Sequence, residues 1–340
     1  MGDLHAELVA TASRHLRDTL ALSLEYTPAH AAVVLSDTQC ELTDIIAEAY
    51  GDILPDATHE LFYLVKTPEL LAMFDELVAG DLVALVQSTN FRIESFRIRV
   101  ELMKRGIKVI EHASLARMAP HEMAAYVDSL AYDPTYYRGV GNALKARLDT
   151  ATRAVVEGAG ARLVFDSPFE PAKLNTGDYR HLKTVGGMYP IGEVFTEAQA
   201  LARVSGTVRL YVFSDLEFCV NTATPPITLV IADGQVVDVH DSVPAFDAVL
   251  AQIRHDEGAV MVRELGFGLN RAFSPQRLVG DIGAFERVCG VHLSLGAKHG
   301  VFKKPGLRHN ETRYHIDVFP VTENVWIDDA LVFADGAWQP

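Results

Sequence analysis

The chain has 340 residues, of which 49% are hydrophobic and 22% charged, and its formal net charge is −15. This length predicts two domains with apolar cores, and the acidic balance excludes a long-range attraction to nucleic acid or to an anionic membrane. Three scattered cysteines argue against a disulfide framework, and the sequence shows neither a signal peptide nor a run of about 18 apolar residues, so we expect a cytoplasmic protein.

The first half of the chain alternates between helical and strand-like patterns. The first 20 residues carry leucines at helical spacing, which predicts an amphipathic helix. Helical patterns then separate short apolar runs rich in β-branched residues, and these runs cover residues 31–37, 61–65, 81–88 and 107–113. The alternation predicts a Rossmann-like layered α/β domain with a parallel sheet over residues 1–155.

The second half has the pattern of strands joined by tight turns. Residues 227–241 alternate around Asp233-Gly234, a strong hairpin signal, and residues 325–338 repeat the pattern near the C-terminus. A helical pattern occupies residues 244–255. We therefore expect a β-rich α+β domain over residues 156–340.

Histidines are concentrated near the C-terminus. His292, His299, His309 and His315 lie within 24 residues, where chance would place about one. His315 and Asp317 are two residues apart in a strand-like run, so their side chains share one face of the strand. The spacing is also met by chance elsewhere in the chain, but imidazole and carboxylate together suit Zn, Fe, Co or Mn.

Two acidic residues upstream have a similar setting. Glu264 lies in "VRELGFGLN" with Gly266 and Gly268 on the same strand face, where the missing side chains leave space or mark a bulge. Glu193 lies in "YPIGEVFTEA", within an apolar run in which a carboxylate is costly to bury unless it is paired or coordinated. The space beside Glu264 would admit a substrate or an ion, and Glu193 would need a partner or an ion.

Four of these stretches, in this order, resemble the metal-binding segments of the M29 family of metallo-aminopeptidases, the aminopeptidase T type. They read "GEVFT" (192–196), "ELG" (264–266), "GVHLSLG" (290–296) and "HID" (315–317). The resemblance implies a homodimer and a pair of divalent ions, Zn, Co or Mn. Its implied ligands are Glu193, Glu264, His292, His315 and Asp317.

The resemblance also predicts a reaction. We expect metal-activated water to hydrolyse an amide or peptide bond of a small molecule or short peptide, with Glu193 or Glu264 bridging the two ions. Glu193 and His299 are the catalytic candidates; His299, which stands where the family has a tyrosine, would be a ligand or a proton shuttle. Three further residues are candidates for substrate binding, and the alternative for each is a purely structural role. They are Lys303, Arg308 and Tyr314.

Two alternatives stay open. The same superfamily includes 2,5-dihydroxypyridine dioxygenase, and by that resemblance one Fe(II) would sit on His315, Asp317 and either His292 or Glu264 and would open a dihydroxypyridine-like or catecholic ring. The oxygenase has a histidine where this chain has Glu264, which favours the peptidase-like set. The other alternative is a non-catalytic binding protein that keeps the fold.

Overall fold

A computed structural model describes residues 2–90, 92–93, 96–297, 301–302 and 313–340. Two compact units are each assembled from three segments, Met1–Arg138, Gly177–Ile191 and Arg277–Ala284 in the first, and Gly139–Thr176, Gly192–Gln276 and Phe285–Pro340 in the second. The boundary at residue 155 stays a prediction about where the chain divides into independently folding domains.

The helices and strands within the described residues follow in chain order. Up to residue 148 they are α1 (Gly2–Leu22), β1 (Ala32–Ser36), α2 (Glu41–Ile53), β2 (Thr58–Leu61), α3 (Thr67–Glu76), β3 (Leu82–Val86), β4 (Arg92–Ile93), β5 (Phe96–Arg97), α4 (Ile98–Lys104), β6 (Lys108–His112), α5 (Met123–Ser129) and α6 (Pro134–Leu148). The later strands and helices are β7 (Ala154–Gly158), β8 (Ala161–Phe165), β9 (Lys173–Asn175), β10 (Gly186–Tyr189), β11 (Glu193–Glu197), β12 (Val204–Ser214), β13 (Val220–Ala232), β14 (Gln235–His240), α7 (Pro244–Glu257), β15 (Val262–Gly268), α8 (Ile282–Phe285), β16 (Gly290–Leu295), β17 (Ile316–Pro320), β18 (Asn324–Ile327), β19 (Ala330–Ala334) and β20 (Ala337–Trp338).

The first unit contains the predicted parallel sheet. Its strands lie in the order β10-β6-β3-β1-β2, and every neighbouring pair is parallel. All residues of β1 and β3 are buried, which explains their continuous apolar sequences, because parallel strands are covered by helices on both faces. One core cluster joins the sheet to α3 and α4 through Val33, Leu35, Leu70, Phe74, Val83, Leu85, Ile98, Leu102, Ile107 and Val109.

Two predicted segments of the first unit differ from the structure. The apolar run at residues 61–65 contributes only its first residue to a strand, and Tyr63 and Leu64 are exposed. The chain turns after Leu61, and α3 then begins at Thr67 with a proline in its first turn. The sequence pattern also predicts a helix over residues 91–106; among the described residues of this range, Ile98–Lys104 form α4, and β4 and β5 precede it.

The second unit is built on a large, mainly antiparallel sheet, as predicted for a β-rich domain. Its main path runs β20-β19-β18-β7-β8-β12-β17-β16-β15-β11-β9, and β13 and β14 extend from β12. Asp233 and Gly234 form the turn between β13 and β14 with φ of 51° and 75°, the two positive values that a type I′ hairpin turn requires. Helix α7 packs on the sheet through Phe246, whose ring centroid lies 4.9 Å from that of Phe213 on β12.

These two sheets confirm the predicted fold class, a mixed α/β chain with one parallel and one antiparallel sheet. No helix in the described part of the chain combines the length and the apolar character that crossing a bilayer requires.

Candidate metal centre

Four neighbouring strands of the large sheet carry the predicted ligands. They lie in the order β11-β15-β16-β17. Antiparallel pairing sets Glu193 opposite Gly268, Gly266 opposite His292, and Ser294 opposite Asp317. Paired residues and their second neighbours project from the same face of a sheet, so residues scattered over the sequence meet on one surface.

Glu193, Glu264 and His292 form a compact buried group. Each offers a ligand atom, and these atoms all lie within 4.8 Å of one another. Nε2 of His292 lies 3.2 Å from Oε1 of Glu193 and 3.2 Å from Oε1 of Glu264. All three side chains are buried, and the His292 ring is completely enclosed. Three of the five predicted ligands are therefore brought together.

Asp317 and His315 form a second contact on the adjacent strand. Nε2 of His315 lies 3.2 Å from Oδ1 of Asp317, and the His315 side chain keeps 29% of its surface exposed. Oδ1 of Asp317 is buried, yet it accepts no hydrogen bond of acceptable geometry from the described residues. Asp317 thus presents a buried oxygen beside the His315 ring.

Two charged residues that the sequence reasoning missed lie beside this group. Nη1 of Arg287 contacts Oε2 of Glu193 at 2.7 Å and Oε1 of Glu286 at 2.5 Å. The Arg287 side chain is only 6% exposed. The signal was present in "AFERVCGVHL", where a Glu-Arg pair interrupts an apolar run just before the His292 strand.

The charges of the site shift the ionisation of its members. Burial opposes a charge on His292, but hydrogen bonds and charge from Glu193 and Glu264 outweigh it and raise the pKa of His292 well above its ordinary value. Burial also opposes a positive charge on His315. The neighbouring Asp317 outweighs this effect and, together with the charges of Glu264 and Glu286, raises the pKa of His315 to about 10. The contribution of Glu264 shows that the two groups of ligands share one electrostatic environment.

The pKa of Glu286 is also raised, to about 8. Burial is the main cause, and the carboxylates of Glu193 and Asp317 add to it, while the charge of Arg287 acts in the other direction. Several buried acids in one neighbourhood repel each other, so a further cation would be favourable there.

The donor set fits a divalent cation. Carboxylate oxygens and a buried imidazole are ligands of Zn, Co, Mn and Fe. The Glu193, Glu264 and His292 atoms already converge, and Oδ1 of Asp317 and Nδ1 of His292 are buried without a hydrogen-bond partner among the described residues. Within those residues the side chains that would hold an ion are Glu193, Glu264 and His292, with Asp317 and His315 next to them.

The remaining predicted residues have different settings. The Tyr314 hydroxyl donates a hydrogen bond to Oδ2 of Asp256 at 2.5 Å, and its backbone N–H donates to Glu257. His299, Lys303 and Arg308 lie outside the described residues. The substrate and proton-transfer roles of these four residues stay predictions.

Comparison with known proteins supports the fold alone. No protein-family model matches the chain, and no curated protein sequence matches it. Among solved structures the chain is similar to wild-type AmpT from Thermus thermophilus, with a TM-score of 0.57 and 13% sequence identity over 97% of this chain and 99% of that chain. The two chains therefore share an overall architecture over nearly their full lengths.

Proposed function

We propose that this chain is a metal-dependent hydrolase that cleaves an amide or peptide bond of a small substrate. The observation that carries the proposal is the convergence of ligand atoms of Glu193, Glu264 and His292 within 4.8 Å on the large sheet, where all three residues are buried. The fold similarity to Thermus thermophilus AmpT supports it. So does the resemblance of the ligand-bearing segments to those of M29 aminopeptidases.

The residues of the centre would hold a divalent ion and fix its position. Glu193, Glu264 and His292 come from three adjacent strands, and Ser294 accepts the backbone N–H of Glu264 at 3.1 Å, which fixes the Glu264 strand beside the His292 strand. Asp317 and His315 would complete the set from the fourth strand. Rigid strands suit this task because ligand positions depend on sheet register.

A bound divalent ion supplies two effects, a lowered pKa of water and polarisation of the scissile carbonyl. The chain supplies a dry surrounding for both, since Glu193, Glu264, His292 and Asp317 are each at most 5% exposed. Low exposure strengthens the electrostatic interactions that catalysis uses. The His315 side chain is more exposed, at 29%, so it is the member of the group that solvent reaches.

Metal analysis and peptide hydrolysis test the proposal together. Protein purified without air is analysed for bound metals, loaded with Zn²⁺, Co²⁺ or Mn²⁺, and assayed with amino-acid amides and short peptides. We expect bound metal and amide cleavage in the wild type, and loss of both in Glu264→Ala. The matched control is Glu157→Ala, which removes a half-buried carboxylate on β7 that pairs with Arg162, and it should retain both.

The contrary results are distinct. Unchanged metal content in Glu264→Ala would show that the ligand assignment is wrong. One iron per chain with O₂-dependent ring cleavage would replace hydrolysis by the oxygenase alternative. Metal binding without turnover of either kind would leave the non-catalytic alternative.

A further inference from the structure

The Glu193 carboxylate has its two oxygens engaged in opposite directions. Oε1 lies 3.2 Å from Nε2 of His292, on the side where the candidate ligands converge. Oε2 accepts a hydrogen bond from Nη1 of Arg287 at 2.7 Å. A carboxylate can bridge two ions by giving one oxygen to each of them. Arg287 therefore stands where a second ion would bind Glu193.

Backbone contacts with the end of β15 and the residues after it fix the position of Arg287. Its carbonyl accepts the backbone N–H of Asn270 at 2.8 Å. Gly268 allows this close approach, because a Cβ at residue 268 would lie 2.8 Å from the Arg287 carbonyl oxygen and 1.9 Å from that of Val288. These backbone contacts with Gly268 and Asn270 hold Arg287 in place, so that its guanidinium reaches Glu193.

The guanidinium of Arg287 keeps its charge under ordinary conditions. Arginine stays protonated in proteins, and its planar fork gives directed hydrogen bonds to carboxylates. Glu193 and Arg287 side chains are 7% and 6% exposed, so water competes little for either group. Because Arg287 keeps its proton, its positive charge stays beside Oε2 of Glu193.

We propose that Arg287 is a positioning residue that keeps Glu193 a ligand through one oxygen only, so that the centre holds one divalent ion instead of a pair. The inference rests on the metal site of the proposed function and specifies its ion count. It departs from the sequence expectation of two ions, with Glu193 as a bridging candidate. The arginine supplies the positive charge that a second ion would otherwise bring.

Titration with Mn²⁺ tests the ion count directly. Metal-free protein is titrated with Mn²⁺ and followed by electron paramagnetic resonance, which separates an isolated ion from a spin-coupled pair, while bound equivalents are counted by equilibrium dialysis. We expect one equivalent with an isolated signal in the wild type. Arg287→Met removes the charge and frees Oε2, and we expect it to bind a second equivalent with a coupled signal.

Two further variants separate charge from packing. Arg287→Lys keeps a cation beside Glu193 and is expected to stay at one equivalent. Glu286→Gln removes the other carboxylate that Arg287 contacts, leaves the Glu193 contact in place, and is also expected to stay at one.

Each outcome bears on a separate claim. A spin-coupled pair in the wild type would overturn the inference while leaving metal-dependent hydrolysis standing, and this result needs no variant to fold. A single equivalent in folded Arg287→Met would remove the role given to Arg287. Absence of any bound Mn²⁺ in the wild type would instead overturn the metal site on which the proposed function rests.

Discussion

Gly266 and His292 occupy one position on the face of the large sheet, since a Cβ on Gly266 would lie 2.0 Å from Nε2 of His292. The two residues are paired across β15 and β16. The imidazole therefore occupies the space over the glycine, and its Nε2 contacts Glu193 and Glu264 from there. Any side chain at residue 266 would displace the ring from the candidate metal centre.

Gly266→Ala is expected to weaken divalent-metal binding by about 10- to 100-fold, the range seen when the support of a ligand is disturbed. Competition with a chromophoric chelator measures the affinity. Gly139→Ala in α6 is the matched control, because a Cβ there meets no atom within 4 Å. Equal affinities in the two variants would show that His292 is not a ligand.

A buried ion pair joins two of the ligand-bearing strands, β15 and β11. Nε of Arg263 on β15 lies 2.7 Å from Oε1 of Glu197 on β11, with side-chain exposures of 3% and 0%. We expect Glu197→Ala to lower the free energy of unfolding by about 3–5 kcal/mol, because it leaves a buried guanidinium without its carboxylate.

Urea unfolding measures this loss. The comparison variant is Glu157→Ala, whose carboxylate pairs with Arg162 on the surface at 3.0 Å and should cost at most about 1 kcal/mol. Similar losses in both variants would argue that burial of the Arg263 pair contributes nothing.

Glu257, the last residue of α7, joins the chain just after β16 to the chain just before β17. Its carboxylate accepts the backbone N–H of Ala297 at 2.8 Å and those of Arg313 and Tyr314 at 2.6 and 3.0 Å. Ala297 follows β16, and the other two precede β17. We infer that Glu257 fixes the separation of His292 and His315.

Removing this carboxylate should open the three amides to solvent. Hydrogen bonds to a charged group contribute about 1.5–3 kcal/mol each, so we expect hydrogen exchange of these amides to accelerate by about 10- to 100-fold in Glu257→Ala. Mass spectrometry of peptic peptides reads this change. Glu76→Ala, an exposed acid of α3, serves as the control, and unchanged exchange in Glu257→Ala would contradict the inference.

A buried histidine in the first unit predicts a dependence of stability on pH. Its ring nitrogens each lie 2.9 Å from a tyrosine hydroxyl, those of Tyr50 and Tyr126. Burial lowers the pKa of His112 to about 3. Between that value and its ordinary pKa, the unfolded chain binds a proton that the folded chain does not, so stability falls as the pH falls through this interval.

His112→Asn should remove this dependence. We expect the difference in unfolding free energy between wild type and variant to change by about 1.4 kcal/mol per pH unit below pH ~6, as measured by urea unfolding at several pH values. The exposed His240→Asn variant should follow the wild type. Parallel curves for wild type and His112→Asn would mean that His112 is protonated in the folded state.

The sequence by itself determined the main elements and pointed to the residues of the candidate metal centre. Continuous apolar runs predicted the buried parallel strands β1, β3 and β6, because strands covered on both faces need no polar alternation. The Asp233-Gly234 pair predicted its hairpin because few residues adopt positive φ at both turn positions. Glu193 was visible because a carboxylate in an apolar run is costly without a partner. Glu264 was visible from the glycines on its strand face, and His292 from the concentration of histidines around it.

Only the tertiary structure decided how these residues meet. The order β11-β15-β16-β17 and its register bring His292 over Gly266 and Arg287 against Glu193. Local patterns carry no information on which strands pair across long stretches of chain, or on which oxygen of a carboxylate a distant guanidinium takes. Long-range antiparallel pairing fixes those contacts, since a shift by one residue would turn every ligand to the opposite face of the sheet.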